Sequence, residues 1–194
     1  REALNAEGKP VVAALAPKTS AQQRGLLYEA HDYTLLSKAA NAVFLMTYEW
    51  GYVYGEPQAI APLPQVRAVL DYALSVTAGE NIFLGAPLYA YDWPLPYEKG
   101  RTRAETFSSQ AAVARARLVG AEIEFDETAR SPCYHYFDKM RREHVVWFED
   151  ARSLRAKIAL AAEKGLQGIG FWQAGQELAQ AWPLLDALVT LETL

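Results

Sequence analysis

Three short apolar runs in this chain each end in a cluster of aromatic and polar residues, and that recurrence restricts the fold more than any other feature. The first, Ala42-Val43-Phe44-Leu45-Met46, turns abruptly into Thr47-Tyr48-Glu49-Trp50-Gly51-Tyr52. The second, from Ile82 to Leu88, runs into Tyr89, Tyr91, Asp92 and Trp93. The third, Gly168-Ile169-Gly170-Phe171, runs into Trp172 and Gln173. Runs of this length and residue type read as strands buried on both faces. A hydroxyl, a phenol, a carboxylate and an indole at a strand mouth are poor core material, but they suit a polar ligand with flat faces. Strands that all end this way predict a parallel barrel with its site on one face.

The segments between these strands support the alternation. Val11 to Ala16 reads as a further short strand, and Tyr28 to Ala40 as helical in its second half, with Leu35, Leu36 and Ala39 on one face. Val66, Val69, Leu70, Ala73 and Leu74 recur at helical spacing. Asp150 is placed to cap a helix with Leu154, Ile158, Ala161 and Ala162 inward, ended by Gly165, and Glu177 to Leu194 reads as a closing amphipathic helix. From about Pro94 to Arg142 the pattern changes. A helix over Ser108–Leu118 is followed by three short runs, Glu122–Phe125, Cys133–Phe137 and Val145–Phe148, that alternate like antiparallel strands. The expected division is residues 1–93 with 143–194 as one α/β unit and 94–142 as an α+β insertion. A closed eight-stranded barrel takes about 250 residues, so four βα units in 194 residues amount to half of one.

Composition excludes several functions. A net charge of −4 without a Lys/Arg-dense run is wrong for a nucleic-acid groove binder. Cys133, the single cysteine, permits no internal disulfide and no cysteine-based metal cage. No apolar run is long enough to span a membrane. His31, His135 and His144 lack metal-ligand spacing and read as surface or packing residues, so no metal is expected. The start at Arg1, with neither methionine nor a signal-type segment, is expected of a piece of a longer protein.

Met46-Thr47-Tyr48-Glu49 resembles the M-x-Y-D motif of glycoside hydrolase family 18, the chitinase family, with Glu in place of Asp. Gly85-Ala86-Pro87-Leu88-Tyr89-Ala90-Tyr91-Asp92-Trp93 resembles that family's G-x-P-x-Y-G-x-x-W, with Ala90 in the last Gly position. Gly168-Ile169-Gly170-Phe171-Trp172 is similar to its final strand, and the insertion falls where family members carry a small α+β domain. Tyr48-Glu49-Trp50-Gly51 and Val146-Trp147-Phe148-Glu149-Asp150 resemble the branch that degrades spore-cortex peptidoglycan. The family's acidic motif, D-x-x-D-x-D-x-E, has no counterpart; Glu122-x-Glu124-x-Asp126-Glu127 lacks the spacing and lies in the insertion.

The resemblance implies a partial (β/α)8 TIM barrel, about strands 5–8, with the insertion between strands 7 and 8. It implies hydrolysis of β-1,4 bonds at N-acetylglucosamine, in peptidoglycan or chitin, with no cofactor. The substrate's own acetamido oxygen attacks the anomeric carbon in this family, so no enzymic nucleophile is needed. By position, Tyr48 gives its hydroxyl to that oxygen. Glu49 stabilises positive charge on the acetamido group or binds a sugar hydroxyl, and Trp172 forms the apolar floor. Met46, Trp50, Tyr89, Tyr91 and Trp93 are the further expected substrate contacts, with Tyr89 equally suited to a structural role. The catalytic acid is expected upstream of Arg1. The expected partner is a polysaccharide, outside the cell or in the spore envelope, and open barrel edges are expected to pair as a homodimer. Two other readings stay open: a non-catalytic glycan-binding module, and an unrelated α/β domain whose aromatics merely pack.

Overall fold

The computed structural model describes residues 1–176 and 178–189. In chain order the elements are α1 (Glu2–Ala6), β1 (Val12–Leu15), α2 (Tyr33–Ala39), β2 (Ala42–Leu45), α3 (Leu63–Leu74), β3 (Ile82–Pro87), β4 (Tyr89–Pro94) and β5 (Glu105–Ser108). Then follow α4 (Ser109–Val119), β6 (Glu124–Asp126), β7 (Ser131–Phe137), β8 (Glu143–Trp147), α5 (Ala151–Glu163), β9 (Gly168–Trp172) and α6 (Ala181–Leu188). Glu177 and residues 190–194, the two ends of the expected closing helix, lie outside the described residues.

The strands form two sheets of opposite character. β1, β2, β3 and β9 make a parallel sheet in that order. Leu15, Leu45 and Leu84 share one register row and one face, and that face packs on Val66, Val69, Leu70 and Ala73 of α3. Burying each such side chain is worth roughly 1.5–3 kcal/mol, which is why these strands read as continuous apolar runs. On the other face Phe44 lies across two glycines of neighbouring strands. A methyl group added at Gly85 would meet the Phe44 ring at 2.8 Å, and one at Gly170 would meet it at 2.6 Å. No other residue type fits beneath that ring without displacing it.

Local signals set the helices. Asp150 Oδ1 accepts from the N–H groups of Arg152 and Ser153, and Ser153 Oγ accepts from Asp150 N–H in return, a complete capping box for α5. Asp32 caps α2 through the Leu35 N–H. In α2, however, the buried residue is Tyr33, while Leu35 is exposed. The Tyr33 hydroxyl bridges the Ala16 carbonyl and the Lys18 N–H, and that bond pair is what turns the face inward.

The second sheet is antiparallel, in the order β5-β4-β8-β7-β6, with α4 packed on one side. It begins at Tyr89 and ends at Trp147, wider at both ends than the stretch 94–142. Tyr89, Tyr91, Asp92 and Trp93 thus belong to a strand of this sheet, not to a loop beyond β3. The aromatic residues of β4 alternate with Ala90 and Asp92, so one face meets the main core and the other meets α4. Lys157 Nζ donates to both carboxylate oxygens of Glu149 at 2.9 and 2.8 Å, and both side chains are fully buried. Ser109 joins the same corner, its hydroxyl donating to the Tyr89 carbonyl and accepting from the Glu149 N–H. This junction fixes the antiparallel sheet against α5.

Candidate active site

The end of β2 is held from both sides before it opens to solvent. Met46 N–H donates to the Leu15 carbonyl of β1, and the buried Thr47 hydroxyl donates to the Gly85 carbonyl of β3 at 2.6 Å. The next residue, Tyr48, is 8% exposed. Glu49 then takes a φ of +72°, a left-handed conformation uncommon for a residue with a side chain. Such a conformation costs on the order of 1–3 kcal/mol and persists where its surroundings hold it.

What holds Glu49 is β4. Its Oε1 accepts from the hydroxyls of Tyr89 and of Tyr91, the latter at 2.7 Å. Tyr89 packs edge-on against Tyr48 and Tyr91, and Tyr91 packs edge-on against Trp93. Burial raises the Tyr48 phenol to about 12, with the neighbouring Glu49 charge adding to it. Burial also raises Tyr89 and Tyr91, and their hydrogen bonds to Glu49 and its charge act in the same direction. In all three, burial favours the protonated phenol, which can donate a hydrogen bond. Tyr89 and Tyr91 spend theirs on Glu49, whereas Tyr48 donates to no group among the described residues.

Tyr48, Glu49 and Trp50 form one side of a cleft of about 320 Å³. The other side is the loop after β1, contributing Pro17, Thr19, Ser20, Gln23 and Tyr28. The sequence alone gave no reason to single out that loop: its residues are individually ordinary, and only the parallel pairing of β1 with β2 brings it beside Tyr48. Trp172 stands at the same end of the parallel sheet, opposite Pro87 on β3, with 54% of its surface exposed. Met46 is half-buried against the core. Trp93 is a correction: it is completely buried, and its indole N–H donates to the Gly55 carbonyl at 2.9 Å, so it offers no face to a ligand. Asp92 points away from the cleft, where its carboxylate takes hydrogen bonds from Arg115 and Tyr136, both at 2.6 Å, and lies 2.7 Å from His144 Nδ1. His144 is accordingly a packing residue, stacked on Tyr136. Among the described residues no cluster of three His, Cys, Asp or Glu side chains is placed to hold a metal ion, and no helix is long and apolar enough to cross a membrane.

The cleft offers a free phenol donor, a braced carboxylate and flat aromatic walls. The family model for glycosyl hydrolases family 18 matches residues 1–177. The chain belongs to glycoside hydrolase family 18. The cortical fragment-lytic enzyme of Bacillus subtilis is 47% identical over 186 residues, which cover 96% of this chain and 43% of that enzyme. The enzyme of the same name from Bacillus anthracis is 43% identical over 171 residues, covering 88% of this chain and 40% of its own length. The family 18 fold is matched in solved structures as well. The spore cortex-lytic enzyme SleL of Bacillus cereus superposes with a TM-score of 0.90 at 43% identity, over 94% of this chain and 42% of that one. SleL of Bacillus megaterium gives 0.91 at 41% identity, over 97% and 43%. The chain therefore spans less than half the length of the curated relatives it matches.

Proposed function

We propose that this chain is the acetamido-binding part of a glycosidase that hydrolyses β-1,4 bonds at N-acetylglucosamine in spore-cortex peptidoglycan. The parallel sheet corresponds in this reading to strands 5–8 of a (β/α)8 barrel, and residues 89–147 to the α+β insertion between strands 7 and 8. The free Tyr48 hydroxyl carries the proposal. Its place beside a carboxylate braced by two phenols suits a reaction in which the substrate's acetamido oxygen is the nucleophile. Tyr48 donates to that oxygen as it attacks, Glu49 stabilises the positive charge that develops on the group, and Trp172 lies under the apolar face of the sugar. The general acid comes from residues outside this chain, in a protein of the relatives' length. The relatives' names favour peptidoglycan over chitin and a place in the spore or its envelope.

By itself the chain then binds a glycan without cleaving it, which is the sense in which the lectin-like reading survives. Incubating the 194-residue chain with tri-N-acetylchitotriose tests this. Binding with no release of product is expected, because a missing general acid alone costs about 10²–10⁴-fold. Measurable turnover would contradict the assignment of the acid. Among the described residues the outer strands β1 and β9 each pair on one side only, and we propose that the chain self-associates through their other edges. Light scattering on dilute protein is expected to give the mass of a dimer; a monomer mass overturns that part.

A further inference from the structure

The cleft wall opposite Tyr48 contains a side chain held in one orientation. The Thr19 backbone N–H donates to Gln23 Oε1 at 2.8 Å, and the Thr19 hydroxyl reaches the same oxygen at 3.3 Å. A backbone N–H has no lone pair to offer, so the atom facing it is the amide oxygen and the NH₂ takes no part in that bond. Gln23 lines the cleft, and among the described residues nothing accepts from that NH₂. The cleft lining therefore includes, beside the Glu49 carboxylate, two donors that meet no acceptor among the described residues, the Tyr48 hydroxyl and the Gln23 amide. Glu49 is the one charged side chain in the lining. Lys18 follows Pro17 in the chain but is buried, with its Nζ turned to the His31 carbonyl at 3.1 Å. A cleft with directed donors and no cation fits a neutral acceptor, and a carbonyl oxygen is the strongest neutral acceptor a sugar substituent carries.

We infer that Gln23 is a specificity-determining residue of this cleft, donating its amide N–H to the acyl carbonyl of an N-acylated sugar, with Thr19 as the residue that fixes its direction. This rests on the sugar-site reading of Tyr48 and Glu49. It adds to that reading a second point of amide recognition, on the loop after β1.

The test is to titrate the chain and its variants with two trisaccharides, tri-N-acetylchitotriose and cellotriose, which differ in the acetamido groups. Gln23→Leu is expected to weaken the acetylated trimer about 3- to 10-fold, as befits one lost hydrogen bond, and to leave the weaker binding of cellotriose unchanged. Gln23→Glu keeps an acceptor for the Thr19 N–H, and so keeps the loop, but it removes the donor. It is expected to weaken the acetylated trimer at least as much. Thr19→Val retains the backbone N–H and is expected to cost less than either. If Gln23→Leu weakens both trimers alike, the residue is structural and the inference is overturned. If Gln23→Leu binds the acetylated trimer as the unaltered chain does while Tyr48→Phe weakens it, the inference fails and the sugar-site reading stands. If the unaltered chain binds neither trimer, both fail together.

Discussion

The Tyr91 hydroxyl donates to Glu49 at 2.7 Å, so a strand of the antiparallel sheet orients a residue just beyond the end of β2 in the parallel one. Tyr89 donates to the same oxygen. A double-mutant cycle isolates this link. Tyr91→Phe is expected to cost on the order of 1 kcal/mol of stability in the native background, kept low because Glu49 is exposed and Tyr89 remains. In a Glu49→Ala background the same change is expected to cost close to nothing. An equal loss in both backgrounds would mean that Tyr91 contributes by packing alone.

The buried phenols make stability fall on the alkaline side. Burial is the first cause of the raised values of Tyr33, Tyr48, Tyr89, Tyr91, Tyr134 and Tyr136, whose ordinary value is 10.0. In the unfolded chain these groups lose their protons near pH 10, while in the folded chain they keep them, Tyr48 up to about 12. The unfolded state then binds fewer protons, so their contribution is intact below pH 10 and is lost as pH rises through the folded values. Each phenol adds a slope of at most about 1.4 kcal/mol per pH unit in that window. Urea denaturation at pH 9, 10 and 11 measures it. A midpoint that does not move above pH 10 would show that the phenols are not protected.

Lys157 and Glu149 form the buried joint between the antiparallel sheet and α5. Burial raises the Glu149 carboxyl, against the opposing pull of Lys157. Lys157→Met is expected to destabilise the fold by about 3–5 kcal/mol, since it leaves a carboxylate buried without its partner. Adding Glu149→Gln is expected to recover a large part of the loss. Thermal or urea unfolding of the single and double variants decides it. A double variant no more stable than the single would mean that the pair acts through packing rather than charge.

β2 and β3 were readable because burial leaves an apolar run, whereas β9, read the same way, has no fully buried residue and β1 only Leu15; Asp150 was readable as a cap because the box Asp150–Ser153 is local. The motif Met46–Glu49 also follows β2 directly, and a parallel strand puts the residues that follow it at one end of the sheet, beside the loop after β1. What sequence did not give is what depends on long-range pairing. Trp93 looked like a rim residue until β4 paired with β8 and enclosed it beneath the Gly55 carbonyl. Asp92 read as part of the polar end of the second run, yet alternation along β4 turns it to the α4 side, where Arg115 meets it. Gln23 had no sequence signal at all. Its importance follows from the Thr19 bond and from the neighbouring strand.

The account turns on Tyr48 acting as a donor to the reacting acetamido group, and steady-state kinetics of Tyr48→Phe in a protein of the relatives' length test it most directly. Losing one such directed donor is expected to lower kcat by about 10²–10³-fold. KM is expected to change little, because the hydrogen bond strengthens chiefly as the acetamido oxygen attacks. A kcat within a few-fold of the unaltered enzyme, or a loss confined to KM, would contradict the account.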